Sequence, residues 1–109
     1  MTRWVAAGLS AALLLATASA AVADPVAGKR KAAQCQVCHG FDGMGTNPEV
    51  PNIGGESEIY LIKQLRAFRD GTREDRMMSL VAKNLSDGDI RDLADYYGAI
   101  EITATVPQF

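Results

Sequence analysis

Five consecutive residues, Cys35-Gln36-Val37-Cys38-His39, constrain this chain more than any other stretch. Two thiols separated by two residues, with an imidazole directly after the second, form the C-x-x-C-H pattern through which a c-type haem is attached covalently. The spacing has a mechanical basis. A short loop carries both sulfurs to the vinyl-derived carbons of one porphyrin edge, while the adjacent imidazole reaches the iron. Three plainer readings compete for the same residues. A disulfide leaves His39 without a role, and a thioredoxin-like dithiol belongs to a strand-rich βαβ setting that this chain lacks. A zinc site wants four ligands, so the two cysteines and one histidine of the whole sequence would need Asp or Glu to complete it. Haem attachment employs all three side chains without calling on a carboxylate to complete the set.

Residues 1–23 read as a secretory leader that is removed. Arg3 supplies the positive start, Val5 to Ala16 is apolar and rich in small residues, and Ala21-Val22-Ala23 is a small-x-small cleavage site before Asp24. Ala18-Ser19-Ala20 is a second such site. A membrane anchor is the alternative, but the apolar run is shorter than the roughly 20 residues of a spanning helix and gives way at once to Asp24-Pro25. The expected mature chain, residues 24–109, is exported to the periplasm without stable membrane insertion. Its 86 residues make one domain near the size at which an apolar core alone is marginal. A covalent cofactor adds apolar surface for that core to pack on, and thioether bonds take both thiols out of disulfide chemistry in an oxidising compartment. Arg3 is the only charged residue of the leader, so ten Lys and Arg face thirteen Asp and Glu in the mature chain, a balance of −3. Nucleic acid binding, which shows a basic surplus, is excluded on that ground. Trp4 departs with the leader, leaving no tryptophan.

Pro25 suits the first turn of a helix, and residues 26–34 continue it as a short one, with Gly28, Ala32 and Ala33 small and Lys29-Arg30-Lys31 as its wet face. Residues 40–55 are a loop, filled with Gly40, Gly43, Gly45, Pro48, Pro51, Gly54 and Gly55 and too long to be a mere connector. Met44, flanked by glycines at 43 and 45, reads as loop surface. Ser57 to Arg69 is the most legible helix: Ser57 caps it, Glu58 favours its positive end, Ile59, Ile62, Leu65 and Phe68 recur at helical spacing, and Asp70-Gly71 closes it. Tyr60 and Leu61 broaden its apolar face. Met77-Met78 follows a polar stretch, about forty residues beyond His39. Adjacent methionines commonly fill core gaps. With a haem present, one of this pair is the natural sixth ligand, because thioether sulfur with imidazole is an axial pair of electron-transfer cytochromes. Ser86, with Asp89 three residues on, caps a last helix whose buried side is Ile90, Leu93, Tyr96, Tyr97 and Ile100. Residues 101–109 are a tail. No repeat or parallel-sheet pattern is visible, and the expected fold class is all-α, about four helices around one haem.

Taken in order, these residues resemble the class I c-type cytochromes, and more narrowly the small bacterial group whose domains are similar to halves of the periplasmic dihaem cytochromes. The likeness is carried by Ala27-Gly28-Lys29, Cys35 to Gly40, Asp42-Gly43, Pro51-Asn52-Ile53-Gly54-Gly55, Tyr60 to Leu65, Phe68-Arg69-Asp70-Gly71, Met77-Met78, and Leu85-Ser86 through Tyr96-Tyr97. It implies thioether bonds to Cys35 and Cys38, His39 as proximal iron ligand, the Pro51 carbonyl accepting the Nδ1–H of His39, Ile53 against the haem edge, and Met78 rather than Met77 as distal ligand. It also implies that Gly28 lets the first helix cross the last near Tyr96. The chain departs from mitochondrial relatives, which hold a haem propionate with a tryptophan; Lys63, Gln64 and Arg73 are the substitutes to consider, against a plain surface role for each.

The function that the resemblance implies is one-electron transfer between redox protein partners in a respiratory chain, by one covalent haem c with His/Met ligation and no catalytic residue. Two rivals keep the haem. One is a dedicated electron-accepting subunit of a periplasmic dehydrogenase, for which the tail is the only hint. The other is an enzyme or gas sensor with an open iron position.

Overall fold

The computed structural model describes Met1 and residues 22–109. The expected leader features from Arg3 to Ala21 lie outside those residues. Among the described residues five α-helices follow one another: α1 (Pro25–Lys31), α2 (Gln36–His39), α3 (Glu58–Asp70), α4 (Met78–Ala82) and α5 (Asp87–Gly98). No strand occurs among the described residues, and the chain is all-α. The helix expected over 26–34 divides in two: α1 stops at Lys31, and a 3-10 turn over Ala32–Gln34 delivers the chain to Cys35.

Local chemistry sets the helix ends. Asp24 Oδ1 accepts from Val26 N at 2.9 Å just ahead of Pro25, and Ser57 Oγ accepts from Tyr60 N at 3.3 Å. Ser86 and Asp89 form a complete capping box, Asp89 N donating to Ser86 Oγ at 3.0 Å and Ser86 N to Asp89 Oδ2 at 2.9 Å. Gly71, at φ +81, closes α3 in the left-handed conformation that glycine adopts without strain.

The helices assemble around α5. It buries Ile90, Leu93, Ala94 and Tyr97 against Ala32, Leu61, Phe68, Ala82 and Leu85. α1 lies closely across α5 at Gly28, whose backbone touches that of Asp92 and the Cβ of Tyr96. The apolar stripe expected on α3 is only partly core. Leu61 and Phe68 are buried and Ile62 and Leu65 half-buried, but Ile59 is 82% exposed and Tyr60 is exposed as well. At about 100° per residue, Ile59 stands roughly 200° round the helix from Leu61, on the side turned away from the buried one.

The basic triplet of α1 is also not uniform. Lys29 and Arg30 are exposed, whereas Lys31 Nζ reaches α5 and bridges Asp89 Oδ1 at 2.8 Å and Asp92 Oδ2 at 2.6 Å. Arg69 makes the matching link from α3, 2.8 Å from Asp87 Oδ1. The hydrogen bond from Lys31, followed by the Ser86 amide, holds the Asp89 carboxyl down at about 2, below its ordinary value of about 3.9. A depressed carboxylate stabilises the fold above its unfolded pKa and ceases to do so as the pH falls through the folded one. The melting temperature is therefore expected to be level near neutrality and to decline between about pH 4 and pH 2. Asp89→Asn, which retains a cap acceptor but loses the charge, should flatten that decline in thermal melts followed by circular dichroism; an unaltered acid limb would assign it to other carboxylates.

Candidate functional site

Cys35 ends the 3-10 turn, and Cys38 and His39 lie on the single turn of α2. Cys35 O accepts from His39 N at 2.8 Å and from Cys38 N at 3.2 Å. The i, i+3, i+4 spacing puts both sulfurs and the imidazole on one face of that turn. The two cysteines are not joined by a disulfide, Cys35 being half-buried and Cys38 exposed. Burial pushes the Cys35 thiol up to about 11, opposite to the depressed value on which a dithiol redox centre relies. Among the described residues no group of three or more His, Cys, Asp or Glu gathers as a metal site of the zinc type would require.

His39 is the buried polar side chain of the core, only 7% exposed. Its Nδ1 lies 2.9 Å from the carbonyl oxygen of Pro51. A carbonyl can only accept, so Nδ1 carries the hydrogen and Nε2 keeps a free lone pair, the tautomer of an imidazole ligand. The loop over 40–55 folds back to achieve this. Gly40 turns at φ +73, Gly43 O accepts from Ile53 N at 2.7 Å and Gly54 N at 3.1 Å, and the backbones of Gly43 and Gly54 touch where any Cβ would intrude. Thr46 pins the start of the loop, its N and Oγ1 donating to Cys38 O at 2.8 and 3.0 Å.

The two tyrosines of α5 do more than fill the core. Tyr96 Oη donates to Phe41 O at 2.7 Å and Tyr97 Oη to Gly40 O at 3.2 Å, so the last helix holds the two residues that follow His39. Burial raises the Tyr97 phenol above its ordinary value and keeps it a neutral donor. Sequence periodicity identifies these residues as buried but is blind to where a hydroxyl ends.

Ile53 and Met78 are half-buried and pack against the core, as do Ile62, Leu65 and Ile100. Met78 opens α4, whereas Met77 is 56% exposed. Asp75, within a stretch that the sequence marks only as charged and polar, accepts hydrogen bonds from the amides of both methionines. An acidic residue two or three positions ahead of a helix start is the signal that could have found it. Met44 remains in the loop, its amide held by Asp42 Oδ1 at 3.0 Å. Of the residues considered for propionates, Arg73 and Gln64 bond each other at 2.6 Å, with the guanidinium 4.5 Å over the Phe68 ring, and Lys63 is exposed.

The donor set suits a covalent haem: two cysteines and an imidazole anchored through Nδ1 share one helical turn, and half-buried apolar side chains flank the core. Among the described residues no helix is long and apolar enough to cross a membrane. Comparison with known proteins gives a consistent picture. Residues 25–97 match the protein family described as cytochrome c. The chain is 43% identical over 81 residues to cytochrome c-554(548) of Halomonas halodenitrificans, covering 72% of this chain and 98% of that one. It is 43% identical over 95 residues to the "thiosulfate dehydrogenase electron acceptor" of Thiomonas intermedia, covering 85% of this chain and 43% of that protein. The crystal structure of reduced recombinant cytochrome c4 from Pseudomonas stutzeri is similar with a TM-score of 0.69 at 34% identity, over 73% of this chain and 47% of that one. The chain thus spans nearly the whole of the first relative and less than half of the other two.

Proposed function

The chain belongs to the cytochrome c family, and on that premise we propose that it is a periplasmic one-electron carrier whose haem c is bonded to Cys35 and Cys38 and ligated by His39 and Met78. The observation that carries this reading is the state of His39: buried, on one turn with both thiols, and oriented by Pro51 with Nε2 free. When bound, the haem supplies an Fe(III)/Fe(II) couple that takes up or releases a single electron.

The chain's own part is to hold, orient and keep dry. Cys35 and Cys38 would form the two thioethers. The Pro51 carbonyl fixes the orientation of the His39 ring. Met78, half-buried where Met77 is exposed, would offer the iron a soft sulfur ligand. Ile53, Ile62 and Leu65 give apolar walls that limit water. With His39 and Met78 both holding the iron, it would have no position open to a substrate, and no catalytic residue is assigned.

Cleavage before Asp24 fits the packing at the start of α1. The Asp24 nitrogen already donates to Asp92 Oδ1 at 3.0 Å, so the amine that processing creates has a carboxylate waiting. The domain then comprises residues 24–109, with 101–109 an exposed tail. Its partners are redox proteins that dock briefly. The second reading, a dedicated acceptor for one dehydrogenase, is favoured by the 43% identity to a protein described as the electron acceptor of thiosulfate dehydrogenase.

Purification from the periplasm tests these points together. The expected product has the mass of residues 24–109 plus one haem, titrates reversibly with one electron, fails to bind carbon monoxide when reduced, and migrates as a monomer. Immediate carbon monoxide binding would replace the carrier by an enzyme or sensor with an open iron. Stable co-purification with a dehydrogenase would favour the dedicated subunit.

A further inference from the structure

We infer that Asp75 is the positioning residue for the Met78 thioether, fixing the backbone from which that side chain reaches the iron. The inference rests on the reading of Met78 as distal ligand. Asp75 Oδ1 accepts from Met77 N and from Met78 N, each at 2.8 Å. Ser79 answers in both directions: Asp75 N donates to Ser79 Oγ at 3.0 Å, and Ser79 N donates to Asp75 O at 3.1 Å. Four hydrogen bonds therefore close the segment from Asp75 to Ser79, and Met78 sits inside the closed loop. No other side chain caps this end of α4, since the residue ahead of the helix, Met77, has no capping oxygen.

The device matters because α4 is only five residues long. A helix of that length does not hold itself in water, and its first turn is ordered only by what ties down its free amides. The direction in which a helical side chain leaves the backbone follows from that turn. Fraying at Asp75 would give Met78 new φ/ψ freedom, and each closure of the sulfur onto the metal would then have to restore the lost order. The adjacent exposed methionine makes the point sharper. Met77 and Met78 share one carboxylate oxygen, so the same contact orders the backbone of both the exposed and the half-buried methionine.

Three variants of the full-length holoprotein separate this role from general stability. Asp75→Ala removes the acceptor, Asp75→Asn keeps an oxygen at the same position without the charge, and Ser86→Ala removes the capping box of α5, whose hydrogen bonds join Ser86 and Asp89 and involve neither methionine. The readouts are the far-red sulfur-to-iron charge-transfer band of the oxidised protein, imidazole binding to the ferric form and carbon monoxide binding to the ferrous form. Losing a cap shifts a helix-end equilibrium by about fivefold. Asp75→Ala is accordingly expected to weaken the band and to bind imidazole and carbon monoxide about fivefold more readily, while Asp75→Asn and Ser86→Ala leave all three readouts at the parent level. Equal behaviour of Asp75→Ala and Ser86→Ala would overturn the inference, because destabilisation alone would then account for both. An Asn variant as open as the Ala variant would overturn it too, since charge and not hydrogen bonding would be responsible. A parent protein without the band would instead show that the ligand assignment itself had failed.

Discussion

Met78→Ala is expected to abolish the sulfur-to-iron charge-transfer band of the oxidised protein and to make the reduced protein bind carbon monoxide. It is also expected to lower the potential, because methionine opposite histidine is the ligation that raises it. Met77→Ala should change none of these. The two residues are neighbours of identical chemistry, and what separates them is placement: Met77 is 56% exposed, while Met78 is half-buried and packed against the core. Visible and far-red spectra of both variants, with carbon monoxide titrations, decide the matter. A band lost in Met77→Ala and kept in Met78→Ala would reverse the assignment.

Gly28→Val is expected to prevent assembly of the domain, with a loss of about 3 kcal/mol or more by overpacking. A Cβ at position 28 would collide with the Asp92 carbonyl and lie 2.7 Å from Tyr96 Cβ. Two of the atoms it meets are backbone of α5, which cannot step aside, so α1 would have to lift off. That movement would break the Lys31 bridges to Asp89 and Asp92 and the Asp24 bond to Asp92. It would also draw Tyr96 from Phe41 and disturb the chain beside His39. Gly88→Ala is the control. Its new Cβ would meet only Ser86 Oγ at 3.6 Å, and relief of a glycine inside α5 should stabilise by about 0.5–1 kcal/mol. Haem-containing yield and thermal melts of the pair test the prediction; a Gly28→Val protein as stable as its parent would show that the helix crossing adapts.

The role of Gly28 illustrates how far a sequence can be read. A glycine within a basic helix is costly and makes sense where another helix approaches closely, and the family resemblance adds that the other helix is the last one, near Tyr96. Lys31 shows the opposite case. It belongs to a run of three cations that reads as one wet face, yet two carboxylates of α5 single it out. Along α3 the 3.6-residue stripe correctly identifies Phe68 but includes Ile59, whereas Leu61, read only as broadening the face, is buried, because periodicity describes a face without saying how wide its neighbour is. Asp75 goes unnoticed for a related reason: an acid among charges has no pattern of its own until the helix it caps is located.

What the sequence by itself determined is the chemistry confined to a few successive residues. Cys35, Cys38 and His39 share a face because an α-helical turn brings i, i+3 and i+4 together, and Ser57, Gly71 and the Ser86–Asp89 pair mark helix ends because caps bond within three or four positions. Tertiary structure decided what local patterns leave open and the resemblance only implies: which histidine nitrogen is free, through a carbonyl 12 residues away; which methionine is sheltered; and, with no hint beforehand, which tyrosine hydroxyls hold the two residues after His39 from 55 and 57 residues distant. Those bonds join groups whose separation along the chain carries no periodic signal, so they become visible only once α1, α3 and α5 have packed and set the distances between them.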